Sequence, residues 1–267
     1  MKSAITYLVF LDLIFLMLLS LSGFFAEPLS SVIYYVAFLL PIIIFAILIK
    51  AKKCDFHPIR VTISKENLLL TVPVIMPTVG AIIFLSFITS RILGLFFEAP
   101  PAEVSGNLFA DVVEHALVPA LLEEALFRYV PIALLASCSR RECVFVSALL
   151  FSLVHCNLFQ IPYAFFAGIL LAAMDIAFGS ILPSLVVHFL NNSLSVVYMK
   201  YGTSDKFANA FVLVTVILCA VSGAFVLLFR NKYKDKFVFK DGKIKLSAEL
   251  AVFIVLTLVI SVSQLLR

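Results

Sequence analysis

The sequence lacks tryptophan, is poor in charge and has only one sizeable polar stretch. Of its 267 residues 13% are charged and 63% are hydrophobic, with a mean hydropathy of +1.14. A soluble globular domain needs more polar surface than this composition supplies. Only helix bundles and closed barrels satisfy the backbone in lipid, and the long unbroken apolar runs exclude the alternating pattern of a barrel. We therefore expect an all-α, polytopic transmembrane helix bundle.

Paired cysteines and a separate basic surface are also missing. The five cysteines show no CxxC spacing, which excludes a disulfide framework and a thiolate metal site, and we expect buried thiols. They are Cys54, Cys138, Cys143, Cys156 and Cys219. The net charge of +4 comes from basic residues beside apolar runs. We expect no nucleic-acid partner, and membrane lipids instead.

Nine apolar runs are long enough to be candidate membrane helices, so we predict eight or nine spans in one domain over residues 1–267. The runs cover about 5–25, 31–50, 67–97, 108–136, 143–156, 161–178, 182–201, 207–229 and 249–266. The run at 143–156 is short for a span and could be tilted, re-entrant or merged with its neighbour. Oligomeric state is left open.

Charge asymmetry predicts the orientation, because lysine and arginine are held on the cytoplasmic side. The basic segments are 50–65, 140–141 and 230–245, while Glu27 and the segment with Glu98 and Glu103 fall on alternate loops. If all nine runs cross, the N-terminus is cytoplasmic. This topology puts Glu123 past the middle of an inward-running helix but His155 near the outer end of the next, so their depths do not match.

The fourth run carries three ionisable residues at membrane depth, where each needs a partner or a function. Glu124 and Arg128 are four residues apart with the acid first, which favours an ion pair on one helix face. Glu123 lies about 100° further round the helix and has no cation on its own helix. We expect the pair to be structural and Glu123 to be available as a general base.

Two further runs carry polar side chains at the same spacing. Phe151 and His155 share one helix face, and His188 and Asn192 share another. The hypothesis is that Glu123 takes a proton from a water held by His155 and that this water attacks a peptide carbonyl. His188 and Asn192 then donate hydrogen bonds to the oxyanion.

These residues resemble an intramembrane protease family, the CAAX prenyl protease type 2 and bacteriocin-processing group, also called CPBP or Abi. The family pattern EExxxR, FxxxH and HxxxN occurs here in order as 123–128, 151–155 and 188–192, within a core of about 108–200. The resemblance implies a glutamic protease without a cofactor, acting on a prenylated or bacteriocin-type peptide in a bacterial plasma membrane. It implies catalytic roles for Glu123, His155, His188 and Asn192 and supporting roles for Glu124 and Arg128, with Phe151 packed beside His155.

Three alternatives stay open at this point. Glu123, His155 and His188 could also be three zinc ligands with an open position for water. A proton-coupled transporter could use Glu and His as a relay, with Asp175 as one more carboxylate, although no repeated halves are visible. A non-catalytic scaffold or immunity protein is the third reading.

Overall fold

The part of the chain that the structure describes consists of helices and their connections, which confirms the expected all-α class. The computed structural model describes residues 2–51, 57–98, 107–202, 204–237 and 247–265. The helices are α1 (Lys2–Ser22), α2 (Leu29–Lys50), α3 (Lys65–Leu93), α4 (residues 108–134), α5 (Arg140–Leu153), α6 (Ile161–Phe178), α7 (Leu182–Tyr201), α8 (Asp205–Leu228), α9 (Arg230–Lys234) and α10 (Ala248–Leu265). Parts of the basic segments 50–65 and 230–245, with Cys54 and Glu103, lie outside the described residues.

Five of these helices are long and apolar enough to cross a membrane, as an integral membrane protein requires. They are Ala4–Ser22, Leu29–Lys50, Lys65–Leu93, Ile161–Phe178 and Asp205–Leu228. Part of α10, Ala248–Gln264, is apolar but shorter. The helices α4, α5 and α7, which carry the three motifs, are not among the five, because they are interrupted, short or more polar.

Polar side chains fix where several helices begin. Asn107 accepts hydrogen bonds from the N–H groups of Phe109 and Ala110 at the start of α4. The hydroxyl oxygen of Ser139 accepts from the N–H of Glu142 at the start of α5 (3.2 Å). Such caps satisfy N–H groups that have no partner within the helix. At the other end of α6, Gly179 adopts a left-handed conformation (φ 66°) that favours glycine.

Two π-helical turns interrupt α4, and each is followed at once by a Val-Pro pair. The turns are Val113–Leu117 and Ala125–Tyr129, and the prolines are Pro119 and Pro131. Proline has no N–H for the carbonyl four residues earlier, and its ring clashes with that carbonyl in a regular α-helix. The wider turn relieves this conflict. The second one lies directly after Glu124, so the glutamates stand where α4 changes its pitch.

The short length of α5 removes the expected mismatch in depth. Its 14 residues span about 21 Å, less than the roughly 30 Å of a hydrocarbon core. Glu123 lies about 16 Å from the end of α4 at Leu134, and His155 about 22 Å from Arg140 at the start of α5. The two residues are therefore at similar depth. The mismatch arises only if α5 crosses the membrane fully, and the sequence left open that this run is tilted, re-entrant or merged with its neighbour.

Close packing of α5 on α6 holds this short helix in place. A Cβ atom at Gly168 would lie 2.8 Å from the Cα of Ala148, so only glycine permits this approach. Behind α4, the rings of Phe15, Phe38 and Phe127 form an edge-to-face cluster. These aromatic contacts join α1 and α2 to the segment that carries the glutamates.

The described cysteines are free thiols, as expected, but only some are buried. Cys143 and Cys156 are buried, whereas Cys138 and Cys219 are half-buried. Cys138 lies in the turn between α4 and α5, at a helix end instead of inside the bundle. Its partial burial raises the pKa of the thiol, and the nearby Glu142 carboxylate adds to this rise.

Candidate active site

His188 on α7 lies between the two adjacent carboxylates of α4. Its Nδ1 atom is 2.7 Å from Oε1 of Glu124, and its Nε2 atom is 3.7 Å from Oε2 of Glu123. The sequence places the two glutamates about 100° apart, with Glu123 facing away from the ion pair. In the structure, one imidazole reaches both, because α7 packs against the edge that they share. Interhelical packing of this kind cannot be deduced from the periodicity of one helix.

The ion pair of Glu124 and Arg128 forms as the spacing predicts. The Nε atom of Arg128 lies 3.6 Å from Oε2 of Glu124, and both side chains are almost completely buried. At this length the pair is electrostatic and not a hydrogen bond. Arg128 donates its hydrogen bond elsewhere, from Nη1 to the carbonyl oxygen of Phe127 (2.9 Å).

The carbonyl of Phe127 is available because of Pro131. In an α-helix it would accept from the N–H of residue 131, which proline lacks. It accepts instead from Arg128 and from the hydroxyl of Ser147 on α5 (both 2.9 Å). The proline in α4 thus supplies the acceptor that orients the buried guanidinium and ties α4 to α5.

The ring of Phe151 lies at the centre of the site. The guanidinium of Arg128 stacks over its face at 4.1 Å from the ring centroid. The rings of His155 and His188 approach it edge-on, at 5.0 and 5.8 Å between centroids. The sequence predicts the contact with His155, but the other two contacts join different helices and were missed.

A backbone contact sets the tautomer of His155. Its Nδ1 atom lies 2.8 Å from the carbonyl oxygen of Phe151, which can only accept, so Nδ1 carries the proton. In the neutral ring Nε2 is then a free acceptor. Asn192 is placed to donate. Its side-chain oxygen accepts a hydrogen bond from the side-chain amide of Asn191 (3.3 Å), which leaves the NH2 group of Asn192 able to donate.

Two tyrosines that belong to no motif lie within electrostatic range of Glu123. They are Tyr34 on α2 and Tyr163 on α6. The side chain of Glu123 retains 18% exposure, whereas that of Glu124 retains 1%. Glu123 is thus the carboxylate that a small molecule can reach. No spacing rule identifies these tyrosines, because each lies alone on an apolar helix.

Asp175 anchors the start of α7 and is fully buried. Its Oδ1 atom accepts from the N–H of Ser184 (3.0 Å), one of the first amides of the helix that carries His188. This hydrogen bond gives Asp175 a structural role, as an alternative to the proton-relay role considered for it in a transporter.

The three residues considered as zinc ligands do not form a preassembled set. Within the described ranges, no three His, Cys, Asp or Glu side chains are grouped closely enough to hold a metal ion. Glu123 and His188 are close to each other, and the Nδ1 atom of His155 donates to its own backbone, which leaves Nε2 as the ring atom that could bind a metal.

Comparison with protein families gives one match, over residues 105–194. The matching family is described as Type II CAAX prenyl endopeptidase Rce1-like. This stretch is about a third of the chain and includes all three motifs, so the resemblance inferred from the motifs is confirmed there. No curated protein and no solved structure matches the chain. The description names a family of endopeptidases.

Proposed function

We propose that the protein is an intramembrane endopeptidase in which Glu123 activates water for peptide hydrolysis. The observation that carries this proposal is the different use of two neighbouring glutamates around His188. Glu124 is buried and occupied by Arg128 and His188, whereas Glu123 keeps an accessible carboxylate. A general base must be accessible to the water that it deprotonates, and of the two glutamates Glu123 is the more exposed.

In the proposed reaction, Glu123 removes a proton from water while the acceptor Nε2 of His155 holds the second hydrogen. The hydroxide attacks the peptide carbonyl carbon and forms a tetrahedral oxyanion. Glu123 then returns the proton to the departing amine as the carbon–nitrogen bond breaks. The second proton of the water passes from the new carboxyl group to the released amine, so the products are a carboxylate and an ammonium, and Glu123 is again ionised.

The amide of Asn192 and the Nε2–H of a protonated His188 would stabilise the oxyanion. Charge balance supports a protonated His188. Two carboxylates and one guanidinium leave a net charge of −1, and an imidazolium neutralises the cluster. Buried charges are tolerated when they are paired in this way.

The proposal also covers the orientation of the protein in the membrane and the class of its substrate. We place the N-terminus on the cytoplasmic side of a bacterial plasma membrane, together with the end of the bundle that carries Arg140. The substrate is a peptide at the membrane, and the Rce1-like match makes a prenylated C-terminal segment the first candidate.

The test uses purified wild-type protein, Glu123→Gln and, as a matched control, Glu114→Gln, an exposed carboxylate earlier on α4. Each is assayed on a fluorogenic peptide library with and without a farnesyl group, at equal thermal stability. We expect Glu123→Gln to lose cleavage by about 10²-fold or more, and Glu114→Gln to keep it. Full cleavage by Glu123→Gln would overturn the proposal.

A chelator distinguishes the zinc alternative. Activity that survives 1,10-phenanthroline supports the glutamate mechanism. Activity that is lost and returns only with added zinc would assign the chemistry to a metal. Cleavage restricted to farnesylated peptides would define the substrate class.

A further inference from the structure

A second cleft lies at the end of the bundle where α4 ends and α5 begins. Its volume is about 340 Å³, within the range of small-ligand pockets. It is about 16 Å from Glu123 along α4, so it is separate from the proposed active site. None of the side chains assigned to hydrolysis lines it.

The cleft has a cationic rim and an apolar floor. The rim carries Arg60, Arg140 and His57, which are exposed and come from two parts of the chain. The floor includes Ile59 and Ile176, which are half-buried and keep apolar surface towards the cleft. Among the described residues that line the cleft, none is acidic. Two arginines facing one space favour a phosphate group, because guanidinium binds its oxygens in pairs.

Backbone hydrogen bonds hold the rim in position. The N–H of His57 donates to the carbonyl of Ala133 (3.2 Å), and the carbonyl of Arg60 accepts from the N–H of Ile181 (3.0 Å). The segment that carries Arg60 is thus attached both to α4 and to the turn between α6 and α7. These bonds hold the backbone at Arg60 in place, so the residue does not lie on an unattached loop.

We propose that this cleft binds an anionic phospholipid, with its phosphate between Arg60 and Arg140 and the start of its acyl chains on the apolar floor. Helix ends mark the level of the headgroups, so the phosphate and the arginines meet at the same depth. A free phosphate would satisfy the arginines but would leave the half-buried isoleucines of the floor uncovered. An anionic lipid matches both parts of the cleft.

The test measures lipid binding to the full-length protein in detergent by native mass spectrometry. Phosphatidylglycerol and phosphatidylcholine with identical acyl chains are titrated onto wild type and onto Arg60→Gln/Arg140→Gln. We expect wild type to prefer phosphatidylglycerol, and the double variant to lose roughly tenfold in affinity for it. Binding of phosphatidylcholine, whose choline cation offsets the charge of its phosphate, is expected to fall less than that of phosphatidylglycerol.

The control is Arg230→Gln/Lys232→Gln, which removes the same charge from the same face outside the cleft. These residues precede Lys236, whose Nζ bonds to Asn67 (2.8 Å), and Asn67 in turn bonds to the carbonyl of Phe178 at the end of α6. Equal losses in both double variants would overturn the site in favour of general surface charge. Thermal stabilisation by inorganic phosphate alone, equal to that by the lipid, would overturn the assignment to a lipid.

Discussion

The helices that look most like membrane helices and the helices that carry the motifs are different parts of this bundle. The outer helix α8 is long, apolar and without a buried residue. The inner helices α4, α5 and α7 are interrupted, short or polar, and they hold Glu123, His155 and His188. High hydropathy marks the surface that faces lipid. The site is built where other helices, and not lipid, surround the chain, so polar groups can find partners there.

The strongest test of this difference compares two arginines that each stack on a phenylalanine. Arg128 is completely buried over Phe151 (4.1 Å), while Arg91 at the exposed end of α3 lies over Phe87 (5.2 Å). Arg128→Met should lower the free energy of unfolding by about 3–5 kcal/mol, because the cluster of two carboxylates then loses one of its two cations. Arg91→Met should cost about 0.5–1 kcal/mol.

Unfolding in mixed micelles with increasing SDS measures both arginine variants. Adding Glu124→Gln to Arg128→Met should recover part of the loss, since the unpaired charge disappears. Equal losses for the two arginines would contradict the distinction between inner and outer helices.

A second comparison uses two glycines. A Cβ atom at Gly168, between α5 and α6, meets the backbone of Ala148, whereas one at Gly223 on α8 meets no atom within 4 Å. Gly168→Ala should destabilise by about 1–3 kcal/mol through overpacking. Gly223→Ala should be neutral or stabilise by up to about 1 kcal/mol, because alanine favours helix. Thermal unfolding in detergent ranks them, and the reverse order would show that α5 and α6 can separate at little cost.

The third comparison concerns acids at two helix starts. Asp175→Ala removes the acceptor at the start of α7 and should cost about 1–2 kcal/mol, whereas Asp175→Asn keeps an acceptor and should cost less. Asp205→Ala, at the exposed start of α8, should cost about 0.3–1 kcal/mol. The measurement is again the free energy of unfolding. A stable Asp175→Ala protein that has lost activity would instead assign Asp175 to the chemistry.

The smallest expected difference concerns two hydroxyls. Ser147→Ala removes one of the two donors to the Phe127 carbonyl and should cost about 0.5–1.5 kcal/mol. The hydroxyl of Thr215 on α8 bonds only within its own helix, to Phe211. Thr215→Val should stay within about 0.5 kcal/mol of wild type. Denaturant titration of both variants side by side decides whether the bond between α4 and α5 adds stability.

Sequence periodicity could predict contacts within a helix, but not how helices are rotated against each other. The pair of Glu124 and Arg128 and the contact of Phe151 with His155 follow from a spacing of four residues. The two contacts of His188 with the glutamates, and the stacking of Arg128 on Phe151, depend on helix packing that no single-helix pattern contains. The fold class was predictable because composition alone determines it, while the depth of His155 was not, because it depends on where α5 ends.

Pro131 has a consequence that reaches beyond the shape of α4. In an uninterrupted helix every carbonyl is committed to its own chain, and a buried cation finds no acceptor there. A residue without a donor releases one carbonyl, at Phe127, and that oxygen becomes available to a side chain and to a neighbouring helix. The orientation of the buried Arg128 guanidinium thus depends on a proline, whose backbone nitrogen carries no hydrogen to donate.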